Sequence, residues 1–207
     1  MILTANFIEQ FSTVFRNQKD WQPWDLTKHL SSILYDLIAN LDDQYEIKTG
    51  IAIHKTAVIE SGAVIKDAVI IGANAFVGAN AYLRGGVYLG NSSRIGPGCE
   101  VKTSVIFNNS AIAHFNFIGD SVIGNHVNFE GGSVTANHYN ERSDKRIFVL
   151  YQNNVIDTKS EKFGALVGDK CKIGANAVLS PGTILEVGSI VRRLELVEQV
   201  PAKPFSL

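Results

Sequence analysis

Only two cysteines, Cys99 and Cys171, occur in the 207 residues. Two isolated thiols make neither a disulfide scaffold nor a cysteine metal cluster, and the compartment they imply is a reducing cytoplasm. Excess charge is lacking as well. The net charge is −1, so nothing draws the chain to nucleic acid or to a membrane surface. No apolar run is long enough to span a bilayer. The opening "MILTANFIEQF" has no basic n-region and is interrupted by Asn6, Glu9 and Gln10, so it does not read as a signal peptide. No HxxxxH spacing occurs, and a zinc site built from three converging imidazoles is not expected. The length suits one full core plus a small accessory element.

What the chain does contain is a repeat. Steps of six from Ile53 reach Ile59, Ile65, Ile71, Val77, Leu83, Leu89, Ile95, Val101 and Phe107, then Ala113. At 45% apolar residues, chance puts ten such residues on one frame on the order of a few times in ten thousand. The position two before each is also restricted, reading Ala57, Ala63, Val69, Ala75, Ala81, Val87, Ser93, Cys99, Val105 and Ala111. Cys171 stands two before Ile173 in the same way, so both cysteines read as small buried hydrophobes. The frame resumes at Val167, Ile173, Leu179, Leu185 and Val191. A six-residue period fits neither helix nor flat strand. It marks an all-β solenoid, three hexads closing a triangular coil of about 18 residues, with coils stacked about 4.8 Å apart.

Two stretches leave the frame. Residues 4–45 read as helices: Phe7, Ile8, Phe11, Val14 and Phe15 make one stripe, with Asn6 and Glu9 spaced like a capping box. Pro23 suits a second helix's first turn, and Leu26, Leu30, Ile33, Leu34, Leu37, Ile38 and Leu41 form its stripe. The expectation is a plug hiding the solenoid's open end. The expected organisation is a helical cap over 1–46, a β-helix over 47–193 with an inserted loop at about 137–163, and a tail over 194–207. Within the loop a hairpin is expected at Ile147–Tyr151 and Asn154–Ile156. Long insertions in solenoids tend to line a functional face.

The residues that follow the aliphatic anchors form three columns. One reads His54, Gly72, Gly90, Asn108; another Glu60, Gly78, Gly96, His114; the third Lys66, Arg84, Lys102. The cationic column is either a solvated corner or an anion site in which Arg84 and Lys102 converge on a phosphate. His114 stands where the frame loses its large anchor and then steps by five to Ile118 and Ile123. It is either an ordinary exposed histidine or a functional one placed where the repeat breaks its rule. His29, His54, His126 and His138 read as structural.

The stretches "YLRGG", "EVKTS", "IAHFNFIGDSVIGNHVNFEGGSVTAN" and "KFGALVGDKCKIGANAVLSPGTI" resemble the hexapeptide-repeat acyltransferases. They are similar to the acetyltransferase half of the bifunctional glucosamine-1-phosphate acetyltransferase/N-acetylglucosamine-1-phosphate uridyltransferases, and to the long sugar-1-phosphate nucleotidyltransferase branch. The resemblance implies a left-handed parallel β-helix, against the usual right-handed crossover. It implies an acetyl-CoA-dependent N-acetyltransferase acting on an amino-sugar phosphate or nucleotide amino sugar, assembled as a homotrimer and requiring no metal. His114 falls on the general base. The backbone N–H at Gly131 falls on the group that stabilises the thioester oxyanion. Arg84 and Lys102 fall on the sugar-phosphate clamp, and Asn128 on a sugar contact. Ala175 falls on the pantetheine-binding coil, Arg192 and Arg193 on partners of coenzyme A phosphates, and Lys145 or Arg146 on a loop lysine reaching the phosphate. Phe117 stands in the substrate-facing place of a family Tyr, and "FEGGS" puts Glu130 where the family has an uncharged residue. The alternatives are an O-acyltransferase and a non-catalytic sugar-phosphate-binding trimer that partners a separate nucleotidyltransferase. No G-x-G-T-[KR] stretch occurs at the start of the chain, so uridylyl transfer is not expected.

Overall fold

The computed structural model describes residues 1–200; residues 201–207, the last part of the expected tail, lie outside the described residues. The chain forms a left-handed parallel β-solenoid with a small N-terminal helical region. Short strands stack coil on coil to make three faces. The interior of the first face is Ile53, Ile71, Leu89, Ile106, Ile123, Val167 and Leu185 in register. The second face is Ile59, Val77, Ile95, Ile112, Phe129, Ile173 and Val191. The third is Ile65, Leu83, Val101, Ile118, Thr135, Leu179 and Val197. These side chains fill the prism, and burying them is the main force holding each coil on the next.

The frame slips earlier than the sequence spacing implies. It does so at Thr103, where the register is irregular: Arg84 pairs with Lys102 but Val87 pairs with Ser104, so Gly85 and Gly86 face one residue. Thr103 takes φ +49°, tightening the corner. The next two coils are each a residue shorter. Ile106 and Ile112 therefore point inward, not Phe107 and Ala113. Phe107 turns outward and packs against Phe11, Phe15 and Tyr88.

The small-residue slot shifts with it, so Val105 and Ala111 leave it for Ser104 and Ser110. Polar side chains there complete the ladder. Ser93, Ser104 and Ser110 accept the N–H of Ser110, Ser121 and Val127, and Asn116 accepts that of Ser133. Cys99 and Cys171 are buried in the slot, and burial pushes both thiols up from their ordinary value.

The helical region does not plug the open end. The first coil's edge is covered instead by Tyr45–Lys48, paired antiparallel with Ile51–His54. The helices Phe11–Val14, Pro23–Lys28 and Leu30–Ile38 lie along the first face. The outward residues Ala52, Ile70, Val105, Val122, Leu166 and Ile184 are buried there with Phe7, Phe11, Phe15, Leu30 and Leu34. The expected first helix is broken into turns, and no capping box forms; Glu9 donates its N–H to Asp169 Oδ2 at 3.0 Å, pinning the arm to the solenoid. Pro23 does open its helix.

The insertion leaves the corner between the third and first faces. Its hairpin, Phe148–Tyr151 with Asn154–Asp157, folds onto the same covered face, where Tyr151 meets Phe7 with ring centroids 5.8 Å apart. Among the described residues no element covers the second and third faces. No helix among the described residues is long and apolar enough to cross a membrane.

Candidate functional site

Along the corner between the two uncovered faces, His114, Gly131, Ala175 and Arg193 stand in one column. Each lies two residues past an interior residue of the second face, and those interior residues are register partners. The column runs three coils, roughly 14 Å at the usual strand spacing.

His114 is exposed, and among the described residues no group hydrogen-bonds its imidazole. The ring lies over Gly131: a Cβ there would fall 2.5 Å from His114 Nε2. The Gly131 N–H donates to no group among the described residues, whereas its neighbours Glu130 and Gly132 donate to Ile173 and His114 carbonyls. A free imidazole thus stands beside a free backbone donor. Phe115, next in the chain, has φ +56° and is 71% exposed. The equivalent corner of every coil is left-handed, at Asn80, Gly98, Gly132, Asn176 and Leu194 among others, so this is the turn of the fold, taken here by a bulky residue at a cost of roughly 1–2 kcal/mol.

Further along the column the surface becomes cationic. A cleft of about 710 Å³ opens on the second face, lined by Asn128, Glu130, Lys172, Arg192 and Arg193 over Ile173, Gly174, Ile190 and Val191. Glu130 forks onto Arg193 at 2.8 and 2.9 Å and accepts the Ala175 N–H at 2.9 Å. The Arg193 guanidinium and that N–H hold the Glu130 carboxyl below its ordinary value.

Arg84 and Lys102 stand at the other edge of the third face. They are register neighbours, but each cation is already paired. Arg84 meets Glu100 at 2.6 Å, with the side chains 38% and 34% exposed. Lys102 meets Asp120 at 2.7 Å, with exposures of 17% and 8%. Asn137 also donates to that Asp120 oxygen. Arg84 and Lys102 are therefore each held by a carboxylate, while Lys66 has no ion-pair partner among the described residues. Phe117 lies on the third face between the two corners, its ring over Gly119. Arg146 forks onto Asp144 at 2.6 Å and reaches Asp157 at 3.2 Å, staying within the insertion; it holds the Asp144 carboxyl down at about 2. Lys145 is exposed. No group of three His, Cys, Asp or Glu side chains gathers as metal ligands among the described residues.

The structure thus brings His114, Gly131, Ala175 and Arg193 into one column, with Asn128 and Arg192 in the adjoining cleft. It sets Arg84 and Lys102 across the third face. The sequence reading missed the carboxylates Glu100 and Asp120; the signal was their spacing, 16 and 18 residues from their partners, close to one coil.

A solenoid of six-residue repeats is the architecture of the hexapeptide-repeat class. The model described as "Bacterial transferase hexapeptide (six repeats)" matches residues 68–103, and "Hexapeptide repeat of succinyl-transferase" matches residues 164–192. The chain belongs to the hexapeptide-repeat acyltransferase family, related to the acetyltransferase domain of the GlmU type. It is 34% identical over 177 residues to a bifunctional sugar-1-phosphate nucleotidylyltransferase/acetyltransferase of Sulfurisphaera tokodaii, covering 84% of this chain and 43% of that protein. It is 37% identical over 174 residues to the bifunctional protein GlmU of Methanococcus maripaludis strain C7, covering 82% of this chain and 41% of that protein. The chain spans less than half the length of these relatives.

Proposed function

We propose that the chain is a coenzyme-A-dependent N-acetyltransferase whose acceptor is an amino-sugar phosphate. The observation that carries this reading is the His114 imidazole lying over Gly131, the ring and the Gly131 N–H both without a partner among the described residues. His114 takes a proton from the acceptor amine as its nitrogen attacks the thioester carbonyl. The Gly131 N–H receives the oxyanion that forms. As the tetrahedral intermediate collapses, the carbon–sulfur bond breaks and the thiolate recovers the proton from the imidazolium. The donor's arm runs along the column past Ala175, and its phosphates meet Arg192 and Arg193, a direction supported by the cations at that end.

On the acceptor side, Arg84 is the more accessible cation, Lys102 being enclosed with Asp120. Asn128 and Phe117 flank His114 on the two uncovered faces. A second copy of the chain would turn these exposed faces into a walled site, and the reading takes the working unit to be a trimer. The name of the Sulfurisphaera relative, a sugar-1-phosphate enzyme, supports the acceptor class.

The test is thiol release from acetyl-CoA in the presence of glucosamine, galactosamine and their 1-phosphates. Acceptor-dependent release with a phosphorylated amino sugar is expected. Release with none of them, from folded protein, would contradict the reading.

A further inference from the structure

Glu130 is the one carboxylate among the cleft-lining residues, set against Lys172, Arg192 and Arg193. It makes two kinds of contact. The first, to the Ala175 N–H, is a repeated device of the fold: Glu60, at the equivalent corner of an earlier coil, accepts the Ala79 N–H at 2.7 Å in the same way. Closing a corner therefore needs only an acceptor oxygen. The second contact, the fork onto Arg193, has no counterpart at Glu60 and is not needed for the corner. It lies midway along the column, between the free Gly131 N–H and the cationic end.

Resting on the donor reading above, we propose that Glu130 is a latch on the anion end of this groove: it occupies the Arg193 fork when no ligand is present and must yield it to a ligand's phosphate. The geometry fits an exchangeable contact. The Arg193 side chain is 72% exposed and that of Glu130 37%, so the pair sits at the surface where water and salt compete with it. A phosphate offers the same two-oxygen face to the guanidinium as the carboxylate does. The latch favours ligands with strong anionic groups, which compete for Arg193, over neutral thioesters, which do not. This makes Glu130 a specificity-determining residue.

The test uses inorganic pyrophosphate as the probe, measured by titration calorimetry on the full chain at low salt. Glu130→Gln keeps an oxygen for the Ala175 N–H but releases Arg193 and removes a like charge from the ligand's path. Pyrophosphate should bind this variant about three- to tenfold more tightly than the wild type, the range set by a surface ion pair plus one nearby repulsion. The gain should vanish in the Glu130→Gln/Arg193→Gln double variant, and Glu60→Gln should show none. Equal or weaker binding by Glu130→Gln overturns the latch, as does a gain that survives loss of Arg193. Should Glu130→Gln not fold, Glu130→Asp, which keeps the charge but is one methylene shorter, should show a smaller gain that again vanishes with Arg193→Gln, and no gain overturns the latch. A parallel titration with coenzyme A separates the two ideas. A pyrophosphate gain without coenzyme A binding keeps the latch and removes the donor reading; coenzyme A binding without the gain does the reverse.

Discussion

Gly131 lacks a side chain where His114 needs room. Gly131→Ala would place a methyl group 2.5 Å from Nε2, so the imidazole must swing away. The expected result is a fall in kcat of tenfold or more, at the scale that misplacing a catalytic group costs, with little change in unfolding midpoint. Unchanged kcat would show that the ring's seat on Gly131 does not matter to the chemistry. The two cations of the other corner should separate by stability. Lys102→Ala leaves Asp120 buried with Asn137 as its remaining side-chain donor, a loss of about 2–4 kcal/mol, toward the lower end for a broken buried pair. Arg84→Ala breaks a half-exposed pair and should cost about 1 kcal/mol or less. Denaturant titration of both variants checks the order, and equal losses would contradict the burial argument. At this scale His114, Arg84 and Lys102 stood out in the sequence, because His114 follows two glycines in its column and the two cations recur one coil apart. Their pairing did not. Glu100 and Asp120 sit on ordinary polar positions, and only the stacking of coils brings them to the cations.

Among the elements, the helical region and the hairpin matter through the face they cover. Tyr88 faces outward under them, against Phe15 and Phe107. Burial, with a smaller contribution from Tyr45, pushes its hydroxyl up to about 12. A raised tyrosine value leaves stability unaffected below the ordinary value near 10 and removes it as pH climbs from there to about 12. That loss is on the order of 2–3 kcal/mol, and Tyr88→Phe should escape it. The stability gap between the two proteins should be constant below pH 10 and shift in favour of the variant above it. A gap that stays constant to pH 12 would argue against burial of the hydroxyl. A chain beginning near Glu46 would expose Ile70 and Val105. It should aggregate, and a soluble, cooperatively folding truncation would contradict the role given to the helices. The stripes of these helices were plain in the sequence, but a stripe does not say what it meets. A plug and a side-on cover need the same apolar residues. The slip of the frame at Thr103 was hidden because Phe107 and Ile106 are both large and apolar, so either could have been the inward residue.

At the scale of the whole molecule, one face of the prism is sealed by the chain itself and two are bare of other described residues. The bare faces and the corner between them carry Val58, Val64, Phe115, Ile190, Leu194 and Leu196, each between 44% and 78% exposed. Apolar surface arranged this way is suited to burial against other copies of the chain. Light scattering at micromolar concentration should give three times the mass of one chain; a monomer would remove the walls from the proposed site. The six-residue period made the solenoid legible from end to end, since interior packing allows few residue types. The site was only half legible, because it depends on which corner each residue turns, and a single-residue slip moves His114 from one column to the next. The central claim is that this corner transfers an acyl group. The most direct measurement is the rate of thiol release from acetyl-CoA, with a responding amino-sugar phosphate, by the wild type and by His114→Ala. Because His114 is exposed and unpartnered, the variant should fold normally and lose about 10²–10⁴-fold in kcat with acceptor binding little changed. A folded His114→Ala protein that keeps the wild-type kcat would contradict it.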